Sequence, residues 1–259
     1  AHASGGARRS HRRRPLRAVR AWGRRILRGG GGLMTALEVR AVTFVHGTGR
    51  ARTTALAPTD LTVAAGQSLA VIGRSGAGKS TLAEIVLGLK RPAAGTVRVQ
   101  GEPWNDATRG PRRARRCLVQ GIPQDAAASF VPSRAVGSQI ADALRRLGVA
   151  DGSDAEVRVH RAAEIAHLDP LLLARRPGEL SGGQAQRAAI ARAVAAEPAV
   201  IVADEPTSAL DAATADAVAS AVLALAPSLG TALLIVTHDA ALAARCDAIL
   251  EILPATEVA

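Results

Sequence analysis

The chain has 259 residues, 48% of them hydrophobic, enough to bury the core of one large α/β domain or two closely joined subdomains. Its two cysteines, Cys117 and Cys246, have no second Cys or His at metal-ligand spacing, which argues against a disulfide scaffold or structural zinc site and fits free thiols in a reducing compartment. The formal net charge is +11, but residues 1–33 alone hold ten arginines and no acid, so the rest is nearly neutral and no nucleic-acid partner is expected.

Residues 1–33 read most simply as an Arg-rich, disordered leader. Leu16, Val19, Trp22, Ile26 and Leu27 recur at helical spacing among the arginines, so a basic helix on an anionic membrane or a targeting segment are the alternatives. The run Gly29–Gly32 before Met34 marks the boundary of a folded domain over 34–259. No stretch approaches the roughly 18 consecutive apolar residues of a spanning helix, and ALLIVTH from Ala232 has strand length. Any membrane crossing is therefore expected in another chain.

The domain opens β-rich, with LEVRAVTF, TDLTVAAG and GTVRVQG. The strand SLAVI then runs into GRSGAGKST, made of Gly73, Arg74, Ser75, Gly76, Ala77, Gly78, Lys79, Ser80 and Thr81, followed by the helix-like TLAEIVLGL. This is G-x-x-x-x-G-K-[ST] in the strand-to-helix context that the pattern requires. Glycines let backbone amides turn inward around an anion, Lys79 can reach the β and γ phosphates, Ser80 can ligate Mg²⁺, and the helix N-terminus adds partial positive charge.

Further on, LSGGQ at Leu180–Gln184 precedes AQRAAIARAVAAEP, with Ser181 as the expected N-cap and Pro198 closing the helix. Glycines at that helix start offer a second anion site, separate from the first. AVIVADE at 199–205 is a buried strand ending in two acids, the form in which a parallel strand delivers carboxylates to its C-terminal edge. There Asp204 is expected to hold magnesium through water and Glu205 to act as general base. His160 and His167, placed on a helix before LSGGQ, read as surface or packing residues, and Arg175 and Arg176 as solvated.

Six motifs in order, the phosphate loop, IPQD with Gln124, LSGGQ, IVADE, SALD from Ser208 to Asp211, and IVTHD with His238, make the chain resemble an ATP-binding cassette ATPase over residues 36–253. The resemblance implies a P-loop NTPase with a mostly parallel sheet, an N-terminal antiparallel β subdomain and a helical subdomain inserted over about 126–180. It also implies a head-to-tail dimer of cassettes in which Ser181, Gly182, Gly183 and Gln184 meet the ATP held by the partner's loop. His238 would contact the γ-phosphate, Gln124 would complete the magnesium site with Ser80 and Asp204, and Ser208 and Asp211 would lie at the dimer seam. Closure on ATP would drive membrane permease subunits, placing the chain at the cytoplasmic face of a membrane.

Where the family stacks an aromatic on adenine, this chain, which has no tyrosine, has His46, with Phe44 two residues earlier. Weaker ATP binding and modest adenine discrimination are expected. The chain also stops soon after AILEIL, so regulation by a C-terminal domain is not expected. QDAAASFVPSRAVGSQI resembles the QDPYASLNPRMTVGEQI segment of peptide and nickel importers, matching it at Gln124, Asp125, Ala128, Ser129, Pro132, Val136, Gly137, Gln139 and Ile140. Such importers use an extracytoplasmic substrate-binding protein and a second cassette, identical or different. The rival reading is a soluble cassette ATPase acting on nucleic acid or ribosomes. The spacing between Lys79 and Ser181 leaves no room for a long coiled coil, and a single phosphate loop argues against a tandem translation-type protein.

Overall fold

Alternating apolar residues open the domain as β1 (Thr35–His46), which pairs antiparallel with β2 (Thr53–Ala64) and with β4 (Ala94–Val99). The computed structural model describes residues 34–47 and 53–254, so the readings of the Arg-rich leader and of the last five residues lie outside it. β4 turns into β5 (Glu102–Asp106) through Gln100 and Gly101, both at positive φ, the backbone that a two-residue hairpin turn needs to match strand twist. The sheet order is β2-β1-β4-β5.

The second sheet is wholly parallel. Its strands β3 (Ser68–Ile72), β6 (Val119–Ile122), β7 (Val200–Asp204), β8 (Ala232–Val236) and β9 (Ala248–Glu251) lie in the order β6-β7-β8-β3-β9. Both faces are covered, which explains the near-continuous apolar runs. Val200, Val202, Leu234 and Val236 pack with the antiparallel sheet and α1 (Lys79–Val86), while Ile201, Ala203, Leu233 and Ile235 pack with the later helices. The expected α/β architecture with an antiparallel N-terminal sheet is therefore what the chain adopts.

Between β6 and β7 come α2 (Val136–Leu147), α3 (Gly152–Ile165) and α4 (Gly182–Val194). Val136, Ile140 and Leu144 put α2's apolar stripe inward at i, i+4 and i+8. α4 carries nine buried residues, mostly alanine, so neighbours approach it closely on several sides. α5 (Ala212–Leu229) follows β7, and the short α6 (Ala240–Ala244) follows β8.

Three local expectations are corrected. The helix after the phosphate loop ends at Val86, and Trp104 Nε1 and Asn105 Nδ2 cap its last carbonyls from β5. His167 lies beyond α3 at φ 52°, its carbonyl accepting from Arg187, rather than on the helix with His160. An 18-residue helix apolar enough to span a membrane does exist: α5, with mean hydropathy 1.5. One face of it, with Val218, Val222 and Leu225, packs in the core, and its Asp216 accepts a hydrogen bond from Arg245.

Candidate functional site

The C-terminal ends of β3, β6, β7 and β8 lie along one edge of the parallel sheet, where open α/β folds bind ligands. β3 feeds the loop at 73–78. A side chain at Gly78, φ 98°, would sit 2.3 Å from the Ala55 carbonyl oxygen, so β2 presses on the start of α1 in a way only glycine permits. Lys79 Nζ lies across the loop, donating to the carbonyls of Gly73 (2.9 Å) and Arg74 (3.1 Å). Ala77 is buried, Arg74, Ser75, Gly76 and Ser80 are exposed, and Thr81 is half-buried. A cation and a helix N-terminus thus meet where the sequence expects phosphates.

β7 delivers Asp204 beside this loop. Burial holds the Asp204 carboxyl above the usual carboxylate range; the neighbouring Glu205 charge, and more weakly Glu84, push the same way, while Ser80 and Lys79 pull it down. Its Oδ1 is buried with no hydrogen-bond partner. An orphaned carboxylate oxygen next to a serine hydroxyl is an all-oxygen donor set suited to a hard dication such as Mg²⁺. Gln124, exposed just beyond β6, borders with Asp204 and Glu84 a cleft of about 480 Å³.

Glu205 turns the chain at φ 47°, in the left-handed region that non-glycine residues rarely occupy, with its N–H donating to the Val236 carbonyl at 2.9 Å. The turn brings its Oε2 within 2.7 Å of Nδ1 of His238, the residue after Thr237 at the end of β8. Glu205 is 15% exposed and His238 71%, so the carboxylate is sheltered while the imidazole faces outward. Sequence reasoning did not find Asp239, which caps α6 by accepting from Ala241 and Leu242 and donates its own N–H to Thr237 Oγ1, so both chain neighbours of His238 are anchored. The signal was available as an Asp directly before an alanine-rich helix.

The LSGGQ turn is built as a helix start. Ser181 Oγ accepts from the Gln184 N–H at 3.3 Å, and Gln184 Oε1 accepts from the Ser181 N–H at 2.9 Å, a closed capping box. Gln184's side-chain oxygen is therefore turned back on its own helix, while Ser181 and Gly182 are exposed. A side chain at Gly183 would meet Thr214 Cγ2 at 2.4 Å, and one at Gly182 would meet Leu210 at 3.2 Å. The turn is thus packed on SALD and the start of α5. There Asp211 caps the helix through Thr214, and hydrogen bonds from Thr214 hold its carboxyl below the usual range. Ser208 bonds the Glu205 carbonyl through its N–H and Oγ, joining this group to the β7 end.

His46 ends β1 opposite Thr53, exposed, its ring edge-on to Phe44 at 5.1 Å. Phe44 pairs with Leu56, which lies against Gly78, so the imidazole stands on the strand pair that abuts the phosphate loop.

Comparison with known proteins agrees with this geometry. The profile of the family described as ABC transporter matches residues 56–208. The chain is similar to the nickel import ATP-binding protein NikE of Escherichia coli K12, 37% identical over 185 residues, covering 71% of this chain and 69% of that one. NikE of Brucella suis biovar 1 is 38% identical over 200 residues, covering 76% and 75%. Among solved structures, a dimeric post-hydrolysis state of the ATP-binding cassette MJ0796 bound to ADP and Pi superposes with a TM-score of 0.72 at 28% identity, over 83% of this chain and 94% of that one.

Proposed function

This chain belongs to the ABC transporter family and is an ATPase, and we propose that it powers the import of nickel through separate membrane permease subunits. The observation that carries the catalytic part is the 2.7 Å link between Glu205 and His238 beside the orphaned Asp204 oxygen.

In this reading Lys79 and the amides of Gly76, Gly78 and Ser80 grip the β and γ phosphates of ATP. Ser80, Asp204 and Gln124 hold Mg²⁺. When bound, Mg²⁺ neutralises charge on the β and γ phosphates. Glu205 accepts the proton of the attacking water as its oxygen bonds the γ-phosphorus and ADP leaves, with His238 holding the carboxylate and the departing phosphate in line. His46 carries the adenine.

Ser181, Gly182 and Gly183 face the ATP of a second cassette, so each site is completed across a dimer with Ser208 and Asp211 at its seam. The ATP-dependent closure moves the permease, and an extracytoplasmic binding protein delivers the cargo. The chain then works as a peripheral protein on the cytoplasmic face of the membrane. Nickel is favoured by the names of the similar proteins and by the segment from Gln124 to Ile140; small peptides are the second reading, favoured by the same segment.

The test is uptake in the native cell lacking this gene product, restored with wild-type chain or with Glu205→Gln at equal abundance. Nickel uptake recovered only by the wild type supports the proposal. Peptide uptake recovered instead moves the assignment to peptides, and recovery of neither overturns the import reading.

A further inference from the structure

Helix α4 does more than present LSGGQ. Gln186, 3% exposed, donates through Nε2 to the Pro123 carbonyl at 3.3 Å, one residue before Gln124. Less than two turns further, Arg192 donates through Nη1 to the Ser129 carbonyl at 2.8 Å and through Nη2 to Ser129 Oγ at 2.9 Å. Its guanidinium lies 4.4 Å from the centre of the buried Phe130 ring, a cation–π stack. Ser129 Oγ in turn donates to the Ala126 carbonyl at 2.6 Å, and Asp125 Oδ1 accepts from the Ala128 N–H at 2.9 Å. One rigid helix thus grips both ends of the segment 123–130 across 63 residues of sequence.

Among the described residues no carboxylate lies within ion-pair distance of Arg192. Partial burial of a cation without a counter-ion is a poor way to gain stability, since an apolar residue of similar volume would fill the space without desolvating a charge. The planar fork does supply direction: two parallel donors and a stacked face fix Ser129 and Phe130 in position and angle.

We propose that Arg192 and Gln186 are positioning residues that lock the 123–130 segment to α4, so that Gln124 at one site and Ser181 toward the other shift as one body when the nucleotide changes. This rests on the reading in which Gln124 faces the ATP of its own chain. Arg192 acts only through that segment, and its influence on turnover therefore passes through Gln124.

A double-mutant cycle on the full chain in its assembled transporter tests this. Arg192→Lys keeps the charge and loses the fork; it is expected to lower kcat about tenfold with KM for ATP within twofold, the size of effect that a small misplacement of a catalytic group produces. In a Gln124→Ala background the same substitution is expected to change kcat by less than twofold. Gln186→Leu, which removes the other bridge while keeping volume, should behave alike and provides the answer if Arg192→Lys does not fold. Equal tenfold losses in both backgrounds, or no loss in either, would overturn the lock. A Gln124→Ala variant with normal turnover would instead sink the role given to Gln124 above.

Discussion

Replacing Glu205 by glutamine removes one charge and one base while keeping the shape, and both consequences follow from its surroundings. In the proposed role of general base the carboxylate would contribute a factor of about 10²–10⁴, so ATP turnover should fall by that much while ATP binding, assigned to Lys79 and the loop, persists. The stability effect comes from Asp204. Its carboxyl is held above the usual 3.8 by burial first and by Glu205 second, so the fold favours the protonated form. The cost is absent below the unfolded value near 3.8, grows as pH rises from there toward the raised folded value, and is constant above it. Removing Glu205 lifts its share. For two adjacent carboxylates that are partly open to water, this is about 1 kcal/mol after allowing for screening. The lost link to His238, 71% exposed, offsets little of that. Glu205→Gln is therefore expected to raise the nucleotide-free Tm by about 2–4 °C at pH 7.5, with the gain shrinking toward pH 4. Differential scanning fluorimetry across pH and a phosphate-release assay read the two effects. Near-normal turnover would refute the base assignment, and a Tm gain larger at pH 4 than at pH 7.5 would refute the repulsion between the two acids.

Three other substitutions or probes bear on the account. Gly78→Ala places a methyl 2.3 Å from the Ala55 carbonyl at a positive φ, which should cost at least about 2 kcal/mol and abolish nucleotide binding, measured by denaturant melting and fluorescent-ATP titration. His46→Tyr offers adenine a larger ring and should tighten ATP about fivefold with little change for GTP, by calorimetry; equal gains for both nucleotides would remove His46 from base recognition. Cys246, its thiol pushed up to about 11 by burial and by the neighbouring Asp247, should hold about a hundredfold less thiolate at pH 8 than a thiol titrating at 9.0. Iodoacetamide at pH 8 should leave it unmodified in the native protein, as peptide mass mapping would show.

The parts most legible in sequence were those in which chemistry and backbone constrain each other. GRSGAGKST must follow a strand and open a helix, and IVADE must end a buried parallel strand, so the place of both in the fold was legible from the motif. The capping box at Ser181 was half visible, because Ser fits an N-cap, yet Gln184's return to its own helix start required the folded turn. Glu205's left-handed backbone carried no signal, since nothing in the composition of ADEP marks a strained turn. The contact of Gly183 with Thr214 was equally hidden, because it joins residues from two helices whose packing depends on the alanine-rich face of α4. Helix α5 escaped notice as a long apolar helix because Asp216, Ser220 and Thr214 interrupt its run without lowering its average much. Nothing in the sequence marks Arg192 and Gln186, because their partners lie 63 residues away.

The most direct test of the central claim is to purify tagged Glu205→Gln from its native membranes in MgATP and identify its partners by mass spectrometry. The account predicts a multi-spanning permease in stoichiometric amount together with a second cassette, identical or different. Ribosomes or DNA recovered without any membrane protein would contradict it.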